Sequence, residues 1–312
     1  MKKSISIIIF NVFVYNFCAA HINQVIVPMA GLGTRLLPIT KAAPKSMVAL
    51  IDKPALHYIV DEALQSNMND LCFIINENEY EAIANYFSPN PELDAILSER
   101  NKLHLLKEVN SLISRAQFTY IVQPQPLGLG HAVLMGKPFI RPYSFFGVML
   151  PDNIIETDTP HMEDLIALAE MYNASIITIE EITYDQASQY AVVIPKSFLT
   201  EDLIEVEDII EKPQVAGDTL CLGQMGRHVF SYDIFESLEA IEPGVGNEIQ
   251  LTDAVRHMIQ NGQRVLAYKL KGNRYDIGNI KGLLEATVTL ALHNPLYRPM
   301  LCSIFKEEMS KN

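Results

Sequence analysis

The chain has 312 residues and a formal net charge of −13. Apolar residues make up 49% and charged residues 20%, an ordinary globular composition with ample material for a buried core. The acidic balance argues against a basic polyanion-binding surface, so no nucleic-acid partner is expected.

The first element is a leader-like segment. Lys2 and Lys3 precede an apolar run from Ile5 to Phe17 that ends in Cys18-Ala19-Ala20, the layout of a secretory signal peptide. The run is short for a membrane span and is interrupted by Asn11 and Asn16. No later stretch is long and apolar enough to span, so no stable membrane partner is expected. Residues 1–22 are read as a signal-like or dispensable segment.

Beyond it, strand-length apolar runs alternate with helix-length amphipathic ones, which predicts an α/β fold with a mostly parallel sheet. Strands are expected at Gln24–Pro28, Asp70–Asn76, Gln117–Gln123, Phe145–Leu150, Ser175–Glu180 and Ala191–Ile194. Helices are expected at Ala55–Ser66, Gly130–Gly136, Met162–Tyr172, Leu251–Asn261 and Ile280–His293. Tyr80–Ser114 reads as a mixed-charge helical insertion, either a lid or an interface. Residues 296–312 read as a C-terminal tail. Cys18, Cys72, Cys221 and Cys302 share no short metal-ligand spacing, which argues against disulfides and a zinc site.

The chemistry begins where the first strand runs into Ala30-Gly31-Leu32-Gly33-Thr34-Arg35. Glycines let a backbone pass close to an anion and aim its N–H groups at it. Arg35 and, after a Pro-rich turn, Lys45 add fixed positive charge. A dinucleotide loop would need a third Gly where Leu36 stands, and a Walker loop would need Gly-Lys-Ser/Thr, so both are disfavoured. A tight turn or a third kind of nucleotide-phosphate loop remains.

Four later segments carry further candidates. Phe145–Leu150 ends in Pro151-Asp152-Asn153, and ligands gather beyond the carboxyl ends of such strands. Asp152 either binds a hard cation such as Mg²⁺ or caps the next turn. Asp253, near the start of an amphipathic helix, is a second metal candidate or simple helix-start polarity. Glu211-Lys212 before Pro213 can meet sugar hydroxyls and a phosphate, or form a solvated ion pair. In Gln123–Ala132, Pro and Gly fix a loop in which a Gln amide can pair with an imide edge such as uracil's. His131 reads as a packed helix-start residue. No Gly-x-Ser-x-Gly or His-Glu-x-x-His element supports a hydrolase.

Taken in order, AGLGTR, the Pro-Lys and Asp-Lys-Pro pairs, GLGHA, LPD, EKP, EIQLTDA and RYD-x-G resemble the bacterial UTP–glucose-1-phosphate uridylyltransferases, or UDP-glucose pyrophosphorylases. The resemblance runs from about Gln24 to Pro295. It implies a Rossmann-like nucleotidyltransferase core, a mixed, mostly parallel sheet with helical insertions, and a single domain over 23–295. It implies that UTP and glucose 1-phosphate give UDP-glucose and pyrophosphate. On that resemblance Ala30, Gly31 and Gly33 hold the nucleotide, and Arg35 and Lys45 the leaving pyrophosphate. Gln123 and Gly128 contact the base, and Asp152 and Asp253 coordinate Mg²⁺. Ala191 lies against the sugar, Glu211 holds its hydroxyls and Lys212 its phosphate. It implies a homo-dimer or homo-tetramer, with Tyr80–Ser114 and the C-terminal helix as contact surfaces.

The chain departs from the family at Ser46, where Glu is usual, and at Ala191, where Gly is usual. Asn153 replaces an acid and His228 an aromatic Tyr. Ser46 and Ala191 keep open another donor such as dTTP or another sugar 1-phosphate; a catalytically weak nucleotide-sugar binding protein is a further alternative. Because UTP is made and kept in the cytoplasm, a cytoplasmic location is expected, with residues 1–20 dispensable.

Overall fold

The computed structural model describes residues 22–213 and 220–311. The signal-like reading therefore lies outside the described residues. Nine strands form the main sheet: β1 Gln24–Pro28, β2 Asp70–Ile75, β3 Gln117–Val122, β4 Phe145–Met149, β5 Ser175–Ile182, β6 Val192–Phe198, β7 Leu203–Ile210, β8 Cys221–Ser231 and β9 Val265–Lys269. Their spatial order is β3-β2-β1-β4-β8-β5-β9-β7-β6.

The first half of that order is parallel: β1 pairs in parallel with β2 and β4, and β2 with β3. The second half is largely antiparallel. There β8 runs against β4, β5 and β6, and β7 against β6 and β9, with only β5 and β9 parallel. The sheet is thus mixed, as expected, but its parallel character belongs mainly to the N-terminal half. β7 and β8 are strands that the apolar runs did not announce.

β1 is buried throughout because helices cover both faces of the sheet. Successive side chains point to opposite faces, so Val25 and Val27 join one core while Ile26 joins the other. Helices Ala55–Gln65, His161–Tyr172 and Ile280–His293 contribute to the first core, and Leu129–Met135, Ile234–Ala240 and Leu251–Gln260 to the second.

The insertion is helical as expected, with helices at Tyr80–Tyr86, Pro91–Glu99 and Lys107–Arg115. Phe87 packs on Phe73 and Phe118 at 5.6 and 4.7 Å between ring centroids, so this segment docks on the sheet's outer edge. The segment expected as a C-terminal tail carries a helix, Arg298–Met309.

Candidate active site

β1 and β4 are parallel neighbours, so the loops after them leave the same edge of the sheet. One loop brings Ala30–Arg35 and the other brings Pro151-Asp152-Asn153. β8 runs against β4, so Gln224–Gly226, early in β8, reach that edge too. A second convergence follows from register: Ile210, Val192 and Gly223 lie side by side across β7, β6 and β8. The next residues outward, Glu211, Ala191 and Gln224, therefore meet.

These segments enclose a cleft of about 630 Å³. Ala30, Gly31, Gly33, Arg35, Lys45, Gln123, Gly128, Asp152, Ala191, Glu211 and Lys212 all line it. None of the residues of the Tyr80–Ser114 insertion does, which leaves the lid reading without support.

The glycine loop needs its glycine at Gly33. Its φ is +62°, and a Cβ there would press on Thr40 and on Lys45 Cβ at 3.0–3.1 Å. Gly128 is more constrained still, with φ +105° and Ile249 O at 2.7 Å from where a Cβ would sit. Gly31 has open space at its Cβ position.

At one end of the cleft, Lys45 Nζ donates to Asp152 Oδ2 at 2.8 Å, and Asn153 Nδ2 to Asp152 Oδ1 at 3.1 Å. Burial works against ionisation of Asp152, but the Lys45 ammonium, its hydrogen bond, Asn153 and Arg35 hold the carboxyl at about 2. Arg35 Nη2, Asp276 Oδ1 and Asp152 Oδ2 lie 2.8, 3.0 and 3.1 Å from the point where a Cβ on Gly278 would sit. Ile277 N donates to Asp152 O at 2.9 Å, tying the two acid-bearing segments together. Gly278 N donates to Asp276 Oδ1 at 2.9 Å and fixes that carboxylate.

The two candidate acids are placed differently. Asp276 lines the cleft beside Asp152, and Asp253 does not line it. The reason is helical: consecutive residues differ by about 100° in direction. Thr252 faces the cleft and donates to Glu211 Oε2 at 2.7 Å, so Asp253 turns away toward Gly244. Burial pushes the Asp253 carboxyl up, helped by Glu211's charge and opposed by Arg256. Asp276 sits in the RYD-x-G stretch, so its signal was present in the sequence without a role attached. Among the described residues, no three His, Cys, Asp or Glu side chains form a metal cluster. Two carboxylates suit Mg²⁺, which takes one or two protein oxygens and completes its shell with phosphates and water.

At the other end, Lys212 Nζ lies 3.2 Å from Glu211 Oε1. Lys212 adopts φ +42°, a strained conformation for a residue with a side chain, and the kind of outlier that accumulates at functional sites. In the Gln123–Ala132 loop, Gln123 Nε2 donates to Gly128 O at 3.3 Å and to His131 Nδ1 at 2.8 Å. His131 thus braces the loop, in line with a helix-start packing role. Ser46 is buried behind Lys45 and does not line the cleft, whereas His228 lines it with its ring neutral, held at about 3 by burial and Arg227.

An open α/β sheet with a cation-and-carboxylate cleft at its strand ends is an arrangement suited to a nucleotidyl-transfer enzyme. The sequence profile of the nucleotidyl transferase family matches residues 24–292, and the chain belongs to that family. A relative from Bacillus subtilis (strain 168), UTP–glucose-1-phosphate uridylyltransferase YngB, is 37% identical over 290 residues, covering 93% of this chain and 96% of the relative. A crystal structure of UDP-glucose pyrophosphorylase complexed with UDP-glucose is 34% identical with a TM-score of 0.79, covering 88% of this chain and 100% of that one. UTP-bound UGPase from Acinetobacter baumannii is 32% identical with a TM-score of 0.82, covering 91% and 99%. The resemblance to the UTP–glucose-1-phosphate uridylyltransferases, and the fold class it implied, are borne out.

Proposed function

We propose that this cleft transfers the uridylyl group of UTP to glucose 1-phosphate, giving UDP-glucose and pyrophosphate. The observation that carries the reading is the grouping of Arg35, Lys45, Asp152 and Asp276 at one end of a cleft whose other end holds Glu211 and Lys212. The likeness to the uridylyltransferase and pyrophosphorylase relatives supports it.

The sugar phosphate oxygen attacks the α-phosphorus in line, and pyrophosphate leaves opposite. A phosphate is already a competent nucleophile, so catalysis is positioning and charge neutralisation. The backbone at Ala30–Gly33 and the Gly128 loop hold the nucleotide. Gln123 commits its amide N–H groups to its own loop, so its Oε1 is the atom that accepts from the base imide. Arg35 and Lys45 neutralise the leaving pyrophosphate. Lys45 must then exchange Asp152 for phosphate oxygens, which frees the carboxylate. Glu211, aligned by Thr252, accepts from sugar hydroxyls, and Lys212 meets the sugar phosphate. Asp152 and Asp276, rather than Asp253, are the side chains that would hold Mg²⁺; when bound, the ion neutralises charge developing on the phosphates.

The test is pyrophosphate release from the full chain with UTP, glucose 1-phosphate and Mg²⁺. Release that needs all three supports the reading. Preference for dTTP or another sugar 1-phosphate would replace the substrate, and nucleotide binding without release would replace the enzyme by a binding protein. Ser46 does not line the cleft, so of the two departures that motivated another substrate only Ala191 touches the cleft.

Two further parts of the reading concern setting. We place the protein in the cytoplasm, where UTP is available; among the described residues no helix is long and apolar enough to cross a membrane. Cell fractionation that recovered it outside the cytoplasm would overturn this. We also infer a homo-dimer or homo-tetramer. Leu284, Leu296, Met300, Ile304 and Phe305 expose apolar surface on the two C-terminal helices and the turn between them, and light scattering should give a multiple of 35.0 kDa.

A further inference from the structure

Arg227 stands on β8 with no exposed side-chain surface. An isolated buried guanidinium is strongly unfavourable unless its donors are paired. Here all five N–H groups have acceptors. Nε and Nη2 donate to the Glu62 carboxylate, at 3.1–3.2 Å and 2.7 Å. Nη1 donates to Leu150 O at 3.0 Å and Gly226 O at 3.1 Å. Nη2 also donates to Asn153 O at 2.8 Å.

Leu150 and Asn153 are the residues that bracket Pro151-Asp152. The planar fork therefore grips both ends of the segment that carries the Asp152 carboxylate, a geometry a single ammonium could not reproduce. The grip is reinforced by Leu150 N donating to Gly226 O at 2.9 Å. Glu62 comes from helix Ala55–Gln65, which starts close after Lys45 in the chain, and the Ala55 amide donates to Val48 O at 3.0 Å. One buried ion pair thus spans the scaffold of Lys45 and the loop of Asp152.

We propose that the Arg227–Glu62 pair is a positioning device for the reaction: it sets the Asp152 loop so that its carboxylate faces Asp276 and Lys45. A buried ion pair is weak evidence for stability, because an apolar replacement of like volume is often as stable. Its donation to the two carbonyls that bracket Asp152, Leu150 O and Asn153 O, points to placement instead. Partners behind metal ligands commonly affect metal affinity by tenfold or more. The proposal rests on the reading that Asp152 holds the divalent ion.

The test titrates Mn²⁺ into the protein–UDP-glucose complex, which cannot turn over without pyrophosphate, and follows free Mn²⁺ by electron paramagnetic resonance. Arg227→Lys and Glu62→Gln are compared with Ile176→Val, a core change in the fully buried Ile176, and with Asp152→Asn. Circular dichroism and Tm report folding for each. The expected result is a Mn²⁺ dissociation constant raised about tenfold or more in both clamp variants, and unchanged in Ile176→Val. Should Arg227→Lys fail to fold, Glu62→Gln decides. Clamp variants that lose Tm but bind Mn²⁺ as wild type, beside a weakened Asp152→Asn, overturn the positioning role alone. Wild-type binding by Asp152→Asn overturns the metal reading and the clamp together.

Discussion

The two ends of the cleft use charge differently. At one end, Lys45 and Asp152 are 107 residues apart in sequence and 2.8 Å apart in space, with side-chain exposures of 19% and 16%. At the other, Glu211 and Lys212 are chain neighbours, and Lys212 is nearly half exposed. A sheltered, interlocked pair leaves an uncompensated charge when one partner is removed. A partly solvated lysine has no such debt and can reorient toward a ligand. The Lys45–Asp152 pair therefore suits fixed placement, and the Glu211–Lys212 pair leaves Lys212 free to reorient.

That contrast predicts where substitutions bite. Asp152→Asn and Lys45→Met should each lower kcat by roughly 10²–10³, read in a pyrophosphate-release assay; losses confined to KM would break the distinction between the ends. Asp276→Asn should show a loss similar to Asp152→Asn, while Asp253→Asn should stay within about threefold of wild type, since it does not line the cleft. Equal losses would restore Asp253 as a ligand. Lys212→Met should act mainly through glucose 1-phosphate, lowering kcat/KM by roughly 10–10² with UTP affinity preserved. Titrations of each substrate separate these effects.

The smallest effects sharpen the contrast through pH. Burial pushes the Glu79 carboxyl, behind Lys45, up to about 7 from 4.5, so the folded state holds a proton that the unfolded chain releases. Stability from Glu79 should fall as pH rises from 4.5 through 7, and Glu79→Gln should flatten that slope in a Tm-against-pH series. The imidazoles of His161 and His228 are held at about 3 by burial and Arg227. They oppose Glu79: the unfolded chain takes up their protons first, so their contribution is lost as pH drops from 6.5 toward 3. Nuclear magnetic resonance should show neither ring titrating above pH 5.

Much of this was legible in the chain. β1 formed with its expected bounds because the β-branched run Val25-Ile26-Val27, entering a glycine loop, favours a strand. Helix Ile280–His293 was equally plain, with Asn279 accepting from Gly282 N as its cap. β8 was missed because its sequence holds Gly223, Gln224, Gly226, Arg227 and His228, which read as polar loop. Those residues are tolerable in a central strand only because Glu62 and the Leu150 and Asn153 carbonyls satisfy Arg227.

Residue type and near neighbours were enough to read the α/β class and to single out Arg35, Lys45, Asp152, Glu211 and Lys212, all of which line the cleft. Only the tertiary structure decided that Asp276 rather than Asp253 stands beside Asp152, that Ser46 lies behind the cleft wall, and that Arg227 reaches back to Glu62. Each depends on strand order and on which face of a helix meets the sheet. Those are set by packing the whole core, where a residue's partner can lie more than a hundred positions away.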